Sequence, residues 1–202
     1  MNAGSWQNWA GNQHAFPSDR AEPTSVYELR VVLAGAVERS RTVRCVGAGH
    51  SFTPIAVTDG VQIGLDSLRG IESVVHDDDG SARVTVLAGT RLRELTARLW
   101  DLGLAMTNLG DIDEQSIAGA ISTGTHGTGG RFGGIATQVC AVELMTAGGE
   151  LVQCSREENA ELFDAARIGL GALGVITRVT LECVPAFALR AVEEPSTLRA
   201  TL

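Results

Sequence analysis

The chain has 202 residues, 44% of them hydrophobic, and a formal net charge of −8, so it is long enough to bury a substantial core. All sixteen basic residues are arginines, which excludes a P-loop lysine, a Schiff-base lysine and a pyridoxal phosphate anchor. An acidic chain without a basic run is also a poor electrostatic match for nucleic acids or anionic membranes.

Apolar periodicity predicts helices and strands through most of the chain. Ser25 and Glu28 have the spacing of a capping box, which marks the start of the first helix. Gly103 is expected to end the second helix. In chain order the pattern predicts a helix at 26–39, strands at 42–46, 61–65, 71–75 and 83–88, helices at 91–101 and 117–121, strands at 139–145 and 150–154, a helix at 159–167 and a strand at 175–184.

Three turns rich in small residues, at 47–53, 110–116 and 122–130, interrupt these elements. Missing or small side chains leave backbone N–H groups accessible to phosphate oxygens, and such turns bind anions without lysine. Because these turns carry little positive charge, a bound pyrophosphate would depend on their amides and hydroxyl groups. The hydroxyl groups in question belong to Ser51, Ser116, Thr123 and Thr125. A dinucleotide is the natural candidate ligand.

The first turn does not match the common nucleotide fingerprints. Gly47 and Gly49 begin a Rossmann-like pattern, but Phe52 occupies the position of the third glycine and no helical period follows directly. A Walker loop is excluded by the missing lysine. Tight turns without any ligand are the alternative interpretation of each turn taken singly.

His50 is the most informative single residue, because it stands on the first turn directly after a predicted strand. A neutral imidazole can act as a nucleophile, ligate a metal or carry a proton; a surface histidine without function is the alternative. No second ligand lies at a zinc spacing, and the aspartates at 77–79 lack the spacing of a calcium loop. No metal site is therefore expected. His126, in the third turn, either binds a ligand or braces its loop.

The four widely spaced cysteines form no CxxC pair and are predicted to be buried free thiols. The amino terminus lacks the basic and apolar regions of a signal peptide, and no apolar run of about 18 residues occurs. These observations favour a soluble, cytoplasmic protein.

Five motifs occur in an order that resembles one flavoprotein family. They lie at 43–52, 108–111, 116–120, 122–129 and 171–177. Together they resemble the FAD-binding domain of the sugar-1,4-lactone oxidases, which are vanillyl-alcohol-oxidase-type (PCMH-type) flavoproteins and include gulonolactone, arabinonolactone and alditol oxidases. The likeness extends over residues 6–187.

This resemblance implies an α+β fold, a PCMH-type FAD-binding domain at 1–187 made of two α/β subdomains. The first would be a small β-α-β unit at about 15–70, and the second a larger mixed or antiparallel sheet flanked by helices at 71–187. Residues 188–202 are expected to form a linker toward a missing C-terminal substrate domain, the cap. The chain is accordingly expected to be a domain or a truncated protein with little turnover by itself.

The resemblance also implies FAD as the cofactor, bonded covalently through His50 to the 8α-methyl carbon of the flavin. In this assignment the turn at 47–52 holds the pyrophosphate, and the pair at 175–176 contacts the adenine side. The complete implied site is Gly47, Ala48, Gly49, His50, Ser51, Phe52, Gly110, Asp111, Ser116, Gly119, Thr123, Gly124, Thr125, His126, Val175 and Ile176. The catalytic residues stay unknown, because in this family they lie in the substrate domain.

The implied reaction is oxidation of a sugar lactone or polyol by hydride transfer to FAD, with oxygen or another acceptor reoxidising the flavin. Gly110 occupies a position where small residues affect oxygen access in this family, which leans toward an oxidase and leaves a dehydrogenase open. One alternative is another enzyme of the same fold, such as an enolpyruvyl reductase or an aromatic-alcohol oxidase, although the Gly-His-Ser and Thr-His-Gly-Thr-Gly pair argues against it. The other is a flavin-binding module without turnover.

Overall fold

The structure is a computed structural model that describes residues 4–197 and 199. Within these residues the α-helices are α1 Val26–Glu38, α2 Leu92–Asp101, α3 Ile117–Ser122 and α4 Ala160–Ala166. The strands are β1 Trp6–Gln7, β2 His14–Ala15, β3 Asp19–Ala21, β4 Val43–Val46, β5 Val61–Gly64, β6 Ile71–His76, β7 Ala82–Leu87, β8 Leu104–Ala105, β9 Val139–Met145, β10 Leu151–Ser155 and β11 Val175–Pro185. Two 3₁₀ turns occupy Pro54–Ala56 and Ile135–Gln138.

A small parallel sheet is built from the first third of the chain, in the order β3-β5-β4. Helix α1 connects β3 to β4, and both strands pair in parallel with the central β5. The parallel neighbours β4 and β5 are joined by residues 47–60, which contain the 3₁₀ turn Pro54–Ala56; parallel neighbours need a crossover of this length. The β-α-β unit predicted from the sequence is present as β3-α1-β4, and its short first strand, β3, was not among the predicted strands.

The predicted cap of α1 is confirmed in a slightly different form. The Ser25 hydroxyl accepts a hydrogen bond from the backbone N–H of Glu28 at 3.2 Å, as a capping residue should. The Glu28 carboxylate accepts from the backbone N–H of Thr24 at 2.7 Å and from its hydroxyl at 2.8 Å. In the usual capping box this carboxylate accepts from the N–H of the capping residue itself. Here the donor is Thr24, the residue before the cap.

The large sheet is antiparallel, with the path β10-β9-β11-β7-β6, and β8 pairs with the end of β11. The hairpins β6–β7 and β9–β10 join neighbours in sequence, as predicted. Strand β11 inserts between them from far along the chain. Val86, Val179 and Val142 consequently lie side by side on three strands and are fully buried.

One continuous hydrophobic core includes side chains from both sheets and from all four helices. Leu29 of α1 and Ile63 of β5 belong to it together with Leu95 of α2, Ile121 of α3 and Phe163 of α4, all without solvent exposure. The expected α+β class is thus confirmed. The proposed subdomain limits stay a prediction, because a shared core does not mark a boundary between them.

The chain end and the cysteines complete the description. Residues 186–197 contain no helix or strand, while 198 and 200–202, part of the predicted linker, lie outside the described residues. All four cysteines are unpaired; Cys154 and Cys183 are buried, whereas Cys45 and Cys140 are only partly so. In the described part of the chain, no helix has the length and apolarity to cross a membrane.

Candidate functional site

A cavity of 380 Å³ lies where three segments meet: the turn after β4, the beginning of α3 and the turn before β11. The carboxyl-terminal part of α1 forms another side of it through Leu33 and Val37. Its walls therefore come from both the small and the large sheet regions. Its volume lies within the range of small-molecule and cofactor sites.

The turn after β4 contacts α3 so closely that one position requires glycine. A Cβ atom added to Gly47 would lie 2.5 Å from the Ser116 hydroxyl oxygen, closer than side-chain atoms pack. Gly49 has a φ of +71°, a conformation that glycine adopts without penalty. These two glycines bring the backbone of the turn against the cavity.

The first turn carries a run of free backbone donors. In the described part of the chain, the N–H groups of residues 48–51 donate no hydrogen bond to the protein. By contrast, the N–H groups of Thr123, Gly124 and Thr125 already donate to carbonyls of α3. Successive unpaired amides in a turn form a concavity that binds anions. The first turn therefore has the capacity to hold a phosphate, whereas the amides at the start of the third turn are already used within the fold.

His50 is one of the residues that line the cavity. Its ring stacks on the Trp9 indole, with ring centroids 5.2 Å apart and an interplanar angle of 19°. Its Nδ1 atom is buried and has no hydrogen-bond partner. Buried ring nitrogens normally find a partner, so an unsatisfied one beside a cavity suggests a missing ligand.

The structure brings ten of the sixteen predicted site residues to the cavity wall: Gly47, Ala48, Gly49, His50, Ser51, Ser116, Gly119, Thr123, Val175 and Ile176. The other six, Phe52, Gly110, Asp111, Gly124, Thr125 and His126, do not line it. The roles assigned to all sixteen stay predictions.

Local contacts explain two of the residues outside the wall. The Thr125 hydroxyl accepts a hydrogen bond from the Gln115 side-chain amide at 3.0 Å. His126 Nδ1 lies 2.8 Å from the carbonyl oxygen of Gly127. These contacts favour the second interpretation of His126 considered above, in which it braces its own loop.

Sequence reasoning missed several wall residues. Arg41 and Arg44 lie there, and neither forms an ion pair within the described residues. The expectation that a diphosphate would meet little positive charge is therefore incomplete, because these arginines precede the turn that was considered. Gln115 and the segment 170–173 also line the cavity. Residues 171–173 belong to the fifth sequence motif, so that motif could have predicted their position at the site.

Cys45 lines the cavity from β4. Burial raises the pKa of its thiol to about 12, because a thiolate would lose its hydration there. The residue is thus a neutral packing group at physiological pH and not a nucleophile.

Comparison with known families identifies the domain. The profile of the FAD binding domain matches residues 17–155, which is more than half of the chain. The chain therefore belongs to the FAD-binding domain family. This agrees with the resemblance found in its sequence, and the expected PCMH-type α+β fold class is confirmed.

Characterised relatives of this FAD-binding domain act on sugar lactones. L-gulono-1,4-lactone dehydrogenase of Mycobacterium tuberculosis is 45% identical over 197 residues, which cover 98% of this chain and 45% of that protein. L-gulonolactone oxidase of Bos taurus is 45% identical over 98% of this chain and 44% of its own length. D-arabinono-1,4-lactone oxidase of Eremothecium gossypii is 40% identical over 94% of this chain and 36% of its own length. The chain thus spans less than half the length of these relatives.

Proposed function

We propose that this chain is the FAD-binding part of a flavin-dependent oxidoreductase that oxidises a sugar lactone or a related polyol, and that it holds the flavin covalently through His50. The observation that carries the proposal is the buried, unpartnered Nδ1 of His50 in the wall of the cavity. The names of the relatives support the substrate class.

The residues of the cavity fit a flavin dinucleotide. The unpaired amides of 48–51 and the arginines Arg41 and Arg44 supply hydrogen bonds and positive charge for a diphosphate. Gly47 lets this turn lie directly against Ser116 of α3, because a Cβ atom there would come within 2.5 Å of the Ser116 hydroxyl oxygen. Val175 and Ile176 offer an apolar surface for a planar ring.

Bound oxidised FAD supplies an acidic 8α-methyl group and a two-electron acceptor. His50 would hold the flavin through a bond from Nδ1 to that methyl carbon, and the two hydrogen atoms lost in forming the bond, one from carbon and one from nitrogen, would pass to dioxygen as hydrogen peroxide. The chain's part is to present Nδ1 with its lone pair free. Because no protein donor occupies this atom, the neutral imidazole is available as the nucleophile.

Oxidation of the substrate then needs an electron acceptor, for which the relatives suggest two classes. The Mycobacterium tuberculosis relative is named a dehydrogenase and the Bos taurus relative an oxidase. We propose dioxygen as the acceptor, because two of the relatives, from Bos taurus and Eremothecium gossypii, are named oxidases.

The first experiment tests the covalent bond. The purified holoprotein should retain its yellow colour and flavin fluorescence after acid precipitation, and its intact mass should exceed that of the polypeptide by one FAD less two hydrogen atoms. His50→Ala should release all flavin on precipitation, whereas His76→Ala, which alters an exposed histidine on β6, should behave as wild type. Free flavin from the wild-type protein would contradict the covalent assignment.

The second experiment tests the reaction. The intact protein is mixed anaerobically with L-gulono-1,4-lactone, D-arabinono-1,4-lactone or a polyol, and the flavin absorbance is followed. Bleaching by a lactone or polyol, reversed on admission of air, is expected. A flavin that no lactone or polyol bleaches would leave a binding module without turnover as the better interpretation.

A further inference from the structure

The contact between Trp9 and His50 is the feature of the site that the proposed function leaves unexplained. Among the described residues, neither ring nitrogen of His50 makes a hydrogen bond, and the stacked indole is the ring's one aromatic contact. A nucleophile or base is ordinarily oriented by a hydrogen bond to a third group. Among the described residues, no polar group hydrogen-bonds the His50 imidazole and so none can orient it in this way.

A stacked contact constrains the imidazole in a way that suits alkylation. The lone pair of a ring nitrogen lies in the plane of the ring, so a neighbour that fixes the plane also fixes the direction of the lone pair. A face-to-face contact at 19° does this without placing the indole on the ring edge, where both nitrogens lie.

Trp9 is itself attached to the turn that carries His50. Its backbone N–H donates to the Gly49 carbonyl at 2.8 Å. The preceding Asn8, which is buried, donates from its side-chain amide to the Ser51 carbonyl at 2.9 Å. The segment of Asn8 and Trp9 therefore holds the residues on both sides of His50.

Asn8 is in turn held within its own segment. Its side-chain oxygen accepts from the Gln13 backbone N–H at 3.0 Å, and its amide also donates to the Asn12 side chain at 2.7 Å. Strands β1 and β2 close this segment into a hairpin. The position of the indole relative to the imidazole is thus set by a network of hydrogen bonds.

We propose that Trp9 is a positioning residue for covalent flavin attachment: it holds the plane of the His50 imidazole so that Nδ1 is directed at the flavin methyl carbon. This inference rests on the proposed function, since it concerns the rate of the same bond. Trp9 is 69% exposed, so its side chain adds little to the core. A role in stability alone would not require an indole at this exposed position.

The test separates attachment from binding. Apoprotein is mixed with FAD, and the first-order rate of covalent incorporation is followed by flavin fluorescence of the denatured protein. Trp9→Leu, which keeps apolar bulk but loses the flat face, should slow incorporation by about tenfold or more, the scale of a lost orientation. Trp9→Phe should restore the rate to within about threefold of wild type, because it retains an aromatic face.

Binding is measured where attachment cannot occur. The FAD dissociation constant of His50→Ala should change by less than about twofold when Trp9→Leu is added, because the indole lies on the imidazole and not among the free amides. Trp100→Leu, at an exposed tryptophan near the end of α2, is the matched control and should leave both quantities unchanged.

The outcomes are distinct. Equal incorporation rates in wild type and Trp9→Leu would overturn the inference and leave the covalent flavin intact. Loss of FAD binding in the double variant, or a Trp9→Phe variant as slow as Trp9→Leu, would also overturn it, in favour of a general structural role. Absence of covalent flavin in the wild type would overturn the proposed covalent bond and this inference together.

Discussion

The contact between Gly47 and Ser116 joins the first turn to α3, and Gly47→Ala tests it. The new Cβ atom would lie 2.5 Å from the Ser116 hydroxyl oxygen but 3.6 Å from its Cβ, so the clash is with the hydroxyl alone. That hydroxyl is buried and caps α3 by accepting from the Gly119 N–H at 3.3 Å. The turn and the helix cap therefore cannot both keep their positions.

The magnitude follows from these two contacts. Overpacking of one methyl group costs about 1–3 kcal/mol, and loss of the cap adds about 1 kcal/mol. Gly47→Ala should thus lower the free energy of unfolding by about 2–4 kcal/mol. Gly148→Ala, whose Cβ would meet its nearest atom at 3.7 Å, should change it by less than about 1 kcal/mol.

The assay is equilibrium urea unfolding, completed by the FAD dissociation constant. Ser116→Ala alone should cost about 1 kcal/mol through the cap, and it removes the clashing atom. The double variant Gly47→Ala/Ser116→Ala should therefore cost little more than Ser116→Ala, so that the coupling equals nearly the whole cost of Gly47→Ala, about 2–4 kcal/mol. Strict additivity, within about 0.5 kcal/mol, would refute the steric argument.

Three further predictions concern charge and burial. Arg178 hydrogen-bonds Glu72 and the buried Glu143, so Arg178→Met should lower the free energy of unfolding by about 3 kcal/mol; a loss below about 1 kcal/mol in urea unfolding would contradict this. The same arginine lowers the pKa of Glu72 below its ordinary value of 4.5. The resulting stabilisation is complete above pH 4.5 and is lost as the pH falls through the folded-state pKa, so Glu72→Gln should show a shallower acid loss of stability than wild type. Burial raises the pKa of Cys45 to about 12, so mass spectrometry should find this thiol unlabelled by iodoacetamide in the native protein near pH 8 and labelled in urea; equal labelling would refute it.

Local sequence patterns were sufficient for most individual elements. The strand β9 was predicted with the bounds that the structure has, Val139–Met145, and α1 begins at Val26 after the predicted Ser25 cap. These signals are local: a cap involves residues three positions apart, and alternation or a helical period repeats within a few residues. The glycine turn with His50 was recognisable for the same reason.

The pairing of elements, and with it the shape of the site, depended on the tertiary structure. Periodicity shows which face of β11 is apolar but not that β11 lies between β9 and β7, because many partners can bury the same face. The cavity wall also includes Arg41 and Arg44, which lie just before the glycine turn and which the sequence pattern alone did not place beside the ligand site.

The sequence by itself determined the local elements, the acidic composition without lysine and the FAD-binding family. Only the fold showed that Trp9 stacks on His50, that their hairpin and turn are joined by hydrogen bonds, and that residues 122–130 use several of their own amides. The physical reason is that a backbone N–H group or a ring nitrogen is unpartnered only when no other part of the folded chain offers it a hydrogen bond. That property depends on distant parts of the chain, which local sequence patterns do not specify.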